Sequence, residues 1–214
     1  EPVNADPASL RNCYGFPPGR TVICFGSTHP GEEEQILEAL EPLWPELNAT
    51  IILAPRHLKH VEEIERLLQQ KHLDYSRLSQ HRRPVGHVLL VDQLGELRSL
   101  YALSDLAFVG GSLVKHGGQN VLEPAACGVP VICGPHTFNF PTEIAALKAA
   151  DALLEVDSPT SLRQAIHHYL EAPYLARERG ERGRATLQRM AGATSRTIDF
   201  LTSHGYLDSC LKRS

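Results

Sequence analysis

The strongest constraint on the fold is a regular alternation of short apolar runs with helical patterns. The run Thr21–Phe25 is β-branched and compact, which is typical of a strand buried in a parallel sheet. Strands that alternate with helices predict an α/β fold, a Rossmann-like parallel sheet with helices on both faces. The other predicted strands are Thr50–Leu53, Val88–Val91, Leu106–Val109, Val129–Cys133 and Leu153–Val156, with Arg77-Leu78 as a weak addition.

Helical patterns fill the intervals between these strands. An acidic helix begins near Glu32, where carboxylates suit the positive end of the helix dipole. From Pro159 to His204 the pattern is nearly all helix, which predicts a helical C-terminal tail. The remaining predicted helices are Lys59–Lys71, Gly95–Leu103, Asn120–Cys127 and Thr142–Ala150.

The length of 214 residues is ample for one domain with a sizeable core. Residues 1–19 are rich in Pro, Asn, Asp and Gly, a composition typical of linkers. The sequence therefore predicts an interdomain linker at 1–19 and one domain at 20–214. A chain that opens on a linker, and on Glu1 rather than Met, is expected to be a fragment of a longer protein.

Charge and composition exclude several classes of partner. The formal net charge of -4 gives no general attraction to nucleic acid, and no nucleic-acid partner is expected. No apolar stretch approaches the roughly 20 residues that span a bilayer, so the fragment is expected to be soluble. The cysteines are widely spaced without a Cys-x-x-Cys pair, which predicts reduced, structural thiols and no zinc site. They are Cys13, Cys24, Cys127, Cys133 and Cys210.

Ligands of open parallel sheets bind beyond the carboxyl ends of the strands. Loops at that edge are therefore the first place to look for chemistry, and they hold the most unusual residues of the chain. The rule selects Gly26–Gly31, Pro55–His57, Asp92–Gly95, Gly110–Asn120 and Gly134–Phe140.

The segment Gly110–Glu123 holds two glycine pairs that flank Lys115 and His116, and the second pair opens a helix. Glycine lets the backbone approach a ligand closely, and free N–H groups at a helix start form an anion site. The spacing matches neither G-x-G-x-x-G nor the P-loop, so a generic NAD or ATP site is not indicated. The alternative is two ordinary turns beside a solvated lysine.

Asn120 and Glu123 admit two interpretations. An Asn cap with Glu three residues on is a capping box, and Pro124 suits a first helical turn. Alternatively, Glu123 lies at the open edge of the sheet, where its carboxylate accepts hydrogen bonds from two ribose hydroxyls. One side chain cannot fully serve both roles.

These motifs resemble those of the 3-deoxy-D-manno-octulosonic acid (Kdo) transferases. In that family, and more loosely in other GT-B glycosyltransferases, a Gly-Gly turn precedes a helix that carries a ribose-binding glutamate. The likeness spans about Thr21 to Ala150, with one departure at Gln119, where many members carry His. The matching tracts are Ser27–Glu34, Pro55–His57, Asp92–Leu97, Gly110–Val114, Gly117–Ala126, Gly128–Val131 and Gly134–Phe140.

The resemblance implies the C-terminal, donor-binding domain of a GT-B glycosyltransferase of lipopolysaccharide biosynthesis. The donor would be CMP-Kdo and the acceptor a lipid A precursor. The acceptor site and the general base would lie in an N-terminal domain absent from this chain, so the fragment is expected to be inactive alone. The full-length protein would work at the cytoplasmic face of the inner membrane. No cofactor and no metal is expected.

The resemblance also implies a set of donor-binding residues. Arg56 ends a strand and offers a fork suited to phosphate or carboxylate, both of which CMP-Kdo carries; its alternative is a surface ion pair. The full set is Ser27, Thr28, His29, Arg56, His57, Gly111, Ser112, Lys115, Gly118, Asn120, Glu123, Pro135, His136 and Asn139.

Other members of this set have plain structural alternatives. Ser27 or Thr28 could cap the following helix. His136 and Asn139, taken without the resemblance, are turn polar groups. His57 with His60 could suggest a metal, although only two ligands are visible.

Two further functions stay open. One is a UDP-sugar-dependent GT-B transferase or epimerase, and the other is a non-catalytic nucleotide-binding module. A basic run near the C-terminus alternates with acids and is usually a solvated helix face, although a membrane-surface role is the alternative because the acceptor would be a lipid. The run comprises Arg177, Arg179, Arg182, Arg184 and Arg189.

Overall fold

A computed structural model describes residues 6–80, 84 and 86–203 of the chain. Its centre is a seven-stranded sheet in the order β3-β4-β2-β1-β5-β6-β7, and every pairing is parallel. The predicted Rossmann-like sheet is confirmed. The strands are β1 Thr21–Thr28, β2 Ala49–Pro55, β3 Tyr75–Arg77, β4 Val88–Leu90, β5 Leu106–Val109, β6 Val131–Cys133 and β7 Leu153–Glu155.

Helices connect the strands and form the predicted C-terminal tail. They are α1 Pro7–Cys13, α2 Glu32–Leu40, α3 Val61–Gln70, α4 Leu97–Ala102, α5 Leu122–Ala126, α6 Pro141–Ala149, α7 Pro159–Glu171 and α8 Pro173–Ser203. Short 3-10 turns cover Glu41–Leu43 and Leu58–His60. The side chains of Ser158 and Ser161 form a capping box that stabilises the first turn of α7, where the tail begins.

Apolar side chains of β1 alternate between the two faces of the sheet, as the period of a strand requires. Ile23 and Phe25 are fully buried in a cluster with α2, α3 and α7. Val22 and Cys24 point to the other face, where they pack in a cluster with side chains of α4. Both faces of the central strand are therefore covered, and its open carboxyl end is the part left for a ligand.

Three of the differences between observed and predicted strand bounds have local physical reasons. The weak strand predicted at Arg77-Leu78 is present, but it spans Tyr75–Arg77. It is an edge strand, and its polar residues gave little apolar signal in the sequence. β1 continues past Phe25 through three small or polar residues to Thr28. β6 begins at Val131 rather than Val129, since Pro130 has no N–H to give to a ladder.

The segment predicted as a linker contains a helix. Asp6 caps α1 by accepting a hydrogen bond from Ser9 N at 3.1 Å. Arg11 on this helix pairs with Asp105 at 2.6 Å and donates to the Leu103 carbonyl at 2.8 Å. These contacts hold α1 at the amino edge of the sheet, and the role of 1–19 as an interdomain linker stays a prediction.

Most of the basic run on α8 is paired with acids. Arg179 and Arg182 both contact Asp151, at 2.9 and 2.6 Å, and Arg184 pairs with Glu181. These pairs favour a solvated helix face over the membrane-surface alternative. Within the residues described, no helix has the length and apolar character needed to cross a membrane.

The predicted state of the cysteines agrees with the structure where it can be seen. Cys24 and Cys133 are buried free thiols, and burial raises the pKa of Cys133 to about 12. Cys13 and Cys127 are free as well, whereas Cys210 lies outside the described residues.

Candidate functional site

The loops that follow β1 and β5 pack backbone against backbone at the carboxyl edge of the sheet. The register between β1 and β2 shifts between Gly26 and Thr28, and Ser27 there has a left-handed φ of 55°. A Cβ placed on Gly110 would lie 2.4 Å from the Ser27 carbonyl oxygen. Glycine is required at 110 because any side chain would separate these two loops.

A buried carboxylate joins the same two loops. Glu32, in the first turn of α2, is fully buried, and its oxygens accept four backbone hydrogen bonds. Oε2 accepts from His29 N at 2.9 Å and from Gly111 N at 2.6 Å. Oε1 accepts from Ser112 N at 2.9 Å and from Leu113 N at 2.8 Å. A charge-assisted network therefore fixes the start of the Gly110–Asn120 loop.

This network engages two of the predicted donor-binding residues. The N–H groups of Gly111 and Ser112 already donate to the Glu32 carboxylate, and contact of either residue with a donor stays a prediction. The Ser112 hydroxyl donates to the Val109 carbonyl at 2.5 Å and accepts from Gly134 N at 2.8 Å. Ser112 is fully buried and its polar groups are hydrogen-bonded within the protein. It therefore positions the loops and presents no free hydrogen-bond donor to a ligand.

Thr28 is likewise occupied inside the protein. Its hydroxyl donates to Glu33 Oε1 at 2.7 Å, and both residues are buried. Burial raises the pKa of the Glu33 carboxyl to about 7, although the bond from Thr28 acts in the opposite direction. The helix-cap alternative for Ser27 and Thr28 is wrong, since Gly31 is the N-cap of α2 and no side chain caps it.

Imidazole rings from three loops gather beside this network. The buried His29 ring stacks on His116 with 4.3 Å between ring centroids, and it meets His57 edge-on at 5.9 Å. Burial, followed by the neighbouring His116, His57 and Arg56, lowers the pKa of His29 to about 4. His29 is therefore neutral near pH 7, and its Nε2 lies 3.1 Å from Gln119 Nε2, within hydrogen-bonding distance.

Two cations of the site, Arg56 and Lys115, form no ion pair within the described residues. Arg56 and Lys115 are exposed, and neither forms an ion pair with a carboxylate in the described part of the chain. The ion-pair alternative for Arg56 is therefore not seen. His57 and His60 lie 6.4 Å apart, ring to ring, and residues 6–80, 84 and 86–203 contain no group of three metal-ligating side chains.

The capping box predicted for Asn120 and Glu123 is not formed. α5 begins at Leu122, with Val121 at the N-cap position and no side-chain cap. Asn120 Oδ1 instead accepts from Leu122 N at 3.0 Å, and its Nδ2 donates to Glu123 Oε1 at 3.1 Å. The half-buried Glu123 carboxylate therefore accepts a hydrogen bond from the Asn120 side chain and does not take part in a helix cap. Its second oxygen has no hydrogen bond within the described residues.

The loop after β6 is hydrogen-bonded to the turn at Gly117 and Gly118. Asn139 Nδ2 donates to the carbonyl oxygens of His116, at 3.0 Å, and Gly118, at 3.2 Å. His136 N donates to the Ser112 carbonyl at 2.9 Å, and Pro135 beside it is exposed. The interpretation of Asn139 as a turn polar group has structural support, while contacts of Pro135 and His136 with a donor stay predictions.

The predicted residues thus occupy one edge of the sheet, although they divide into two kinds. Ser112 and Thr28 form the internal frame, whereas Arg56, His57 and Lys115 are open to solvent. A separate cavity of about 330 Å³ lies at the opposite, amino edge, near the start of β1 and β5, and contains none of the predicted donor residues. Glu32 and Glu33 also belong to the internal frame, and the sequence did not include them among the predicted donor-binding residues, although both lie in the matching tract Ser27–Glu34.

Comparison with known proteins gives the class of the chain. Residues 45–186 match the family of glycosyl transferases group 1. The 3-deoxy-D-manno-octulosonic acid transferase of Haemophilus influenzae is 39% identical over 186 residues, which are 85% of this chain and 44% of that protein. The enzyme of the same description from Bordetella pertussis is 41% identical over 191 residues, 86% of this chain and 44% of the relative. The chain spans less than half the length of these relatives.

A solved structure covers nearly the same unit. The crystal structure of the C-terminal CMP-Kdo binding domain of WaaA from Acinetobacter baumannii is 34% identical in sequence, with a TM-score of 0.77. The likeness covers 85% of this chain and 96% of that one.

The parallel sheet, its loop-rich carboxyl edge and the helical tail define a group 1 glycosyltransferase domain, the C-terminal Rossmann-like half of a GT-B fold. Within that class the chain belongs to the 3-deoxy-D-manno-octulosonic acid transferases.

Proposed function

We propose that this chain binds CMP-Kdo at the carboxyl edge of its sheet and is the donor-binding half of a Kdo transferase. One observation carries the proposal. That edge carries the exposed Arg56 and Lys115, which form no ion pair within the described residues, and the half-buried Glu123, whose second carboxylate oxygen has no hydrogen bond there. The similarity to the Acinetobacter baumannii domain, which is described as binding CMP-Kdo, supports the same ligand here.

Each of these side chains suits a different part of the donor. The Arg56 guanidinium can hold a phosphate or the Kdo carboxylate through two parallel hydrogen bonds, and Lys115 adds a mobile positive charge. The Glu123 carboxylate accepts from ribose hydroxyls, because Asn120 fixes one of its oxygens and leaves the other open. His57 and His116 border the same surface and can donate to the anion.

The reaction would transfer Kdo to a hydroxyl of a lipid A precursor during lipopolysaccharide biosynthesis. A general base, outside this chain, would remove the hydroxyl proton as the oxygen attacks the anomeric carbon. The CMP leaving group would gain negative charge, which Arg56 and Lys115 stabilise. We propose that the whole protein acts at the cytoplasmic face of the inner membrane, where such an acceptor lies.

Calorimetric titration of CMP and of UMP into the purified chain tests the proposal. CMP should bind and UMP should bind more weakly, whereas the preference reverses for a UDP-sugar enzyme. If neither nucleotide binds or raises the melting temperature at millimolar concentration, the donor-binding proposal is refuted and a non-catalytic module is favoured. Arg56→Ala should weaken CMP binding, while Arg66→Ala, an exposed change on α3, is the matched control.

A further inference from the structure

Glu32 differs from the other acids at the start of α2 in what surrounds it. Glu34 is exposed, and Glu33 bonds to one hydroxyl, whereas the Glu32 carboxylate accepts four backbone N–H groups. Three of these donors are consecutive residues after β5 and the fourth is in the loop after β1. A carboxylate offers about four acceptor positions, so the four N–H groups occupy all the acceptor positions of Glu32.

Consecutive N–H groups that point to one spot form a concave anion site, which in many proteins holds a phosphate. Here the anion is a side chain of the same protein. An external phosphate cannot bind to Gly111, Ser112 or Leu113 without displacing Glu32. Within this loop, the anion of a donor is therefore limited to the outer part, where Lys115 and His116 are exposed.

We propose that Glu32 is a positioning residue of the donor site: its carboxylate fills the N–H nest of residues 111–113 and so sets the loop from Lys115 to Asn120 against the loop of His29. The proposal rests on the proposed function for its binding readout. Its structural readout does not depend on any ligand.

Glu32→Gln tests the role of the charge with almost no change in shape. Each Glu32 oxygen accepts two N–H groups, so in either orientation the amide NH2 of Gln faces two donors and leaves them without an acceptor. CMP affinity should fall roughly ten- to a hundredfold. Glu34→Gln, two residues along the same helix and exposed, should bind CMP as the unchanged chain does.

Chemical rescue separates positioning from a general loss of structure. Glu32→Ala opens a space beside four N–H donors, and formate can occupy it. Formate, compared with chloride at equal ionic strength, should restore CMP affinity to Glu32→Ala. Glu33→Ala, which removes a buried acid that bonds to a hydroxyl and not to an N–H nest, should gain nothing from formate.

Amide resonances provide a readout without nucleotide. In Glu32→Gln and Glu32→Ala, the amide protons of Gly111, Ser112 and Leu113 should move upfield, since charge-assisted hydrogen bonds are the stronger ones. Formate should return them in the Ala variant alone. If Glu32→Ala does not fold in either salt, Glu32→Gln decides the question through the same resonances.

Two results would overturn the proposal: unchanged amide shifts in Glu32→Gln, or unchanged CMP affinity in that variant. A chain that never binds CMP would instead refute the proposed function, and the amide shifts with formate would still show whether Glu32 holds the loop.

Discussion

The raised pKa of Glu33 predicts an unusual pH dependence of stability. Glu33 is 3% exposed, and burial raises the pKa of its carboxyl from 4.5 to about 7. The folded protein therefore binds a proton that the unfolded chain releases. This contribution to the free energy of unfolding is complete below pH 4.5 and is lost as the pH rises through 7. The pKa difference corresponds to at most about 3 kcal/mol.

His29 acts in the opposite direction. Burial lowers its pKa from 6.5 to about 4, so its contribution is complete above pH 6.5 and is lost as the pH falls through 4. The two effects partly cancel between pH 4.5 and 6.5. In Glu33→Gln, whose amide oxygen can still accept from Thr28, the effect of His29 remains. The free energy of unfolding of this variant should then rise with pH across that interval.

Urea unfolding of the unchanged chain and of Glu33→Gln, measured at half-unit steps from pH 4 to 8, checks the prediction. The difference in unfolding free energy between the two proteins should change by up to about 3 kcal/mol over the range. Two parallel profiles would show that Glu33 titrates as an ordinary carboxyl, and the reasoning from burial would be wrong.

Three further outcomes are expected. Glu123→Gln should lower CMP affinity roughly tenfold or more with a nearly unchanged melting temperature. The same substitution should lower the affinity for deoxy-CMP by a smaller factor. Equal CMP affinity of the variant and the unchanged chain would contradict the ribose-binding role. Ser112→Ala should lower the free energy of unfolding by about 1–3 kcal/mol, because Gly134 N loses its acceptor; an unchanged urea midpoint would contradict this. CMP binding should be the same with and without EDTA, and a large loss in EDTA would show that a metal is required.

The sheet could be predicted from the sequence because its strands are compact apolar runs that carry their own signal. Leu106–Val109 has the predicted bounds, and the strands near Thr21 and Val88 differ by no more than three residues. Strand β3 was harder, since an edge strand with a single buried residue, Ser76, lacks the apolar pattern. Strand order also needed the structure, because pairing joins segments far apart in the chain.

The position of the selected loops was predictable from the sequence, whereas their contacts were not. All five loops follow the carboxyl ends of strands, since the rule depends on sheet topology alone, and donor binding there stays a prediction. The sequence placed Glu32 in a matching tract and at the positive end of a helix dipole, but its bonds to the loop after β5 could not be predicted, because its partner Gly111 lies 79 positions away. Ser112 was predicted as a donor-binding residue, and nothing local in the sequence shows that Gly134 N, 22 positions on, donates to its hydroxyl.

The four bonds to Glu32 also bear on the entropy of binding. Fixing the backbone of one residue costs roughly 1–2 kcal/mol in conformational entropy. Gly111, Ser112 and Leu113 are held before any ligand arrives, so the ordering of these three residues belongs to folding rather than to association. Under the proposed function, CMP binding needs no further ordering of these three residues, and the exposed side chains of Arg56 and Lys115 are among the groups that it would order.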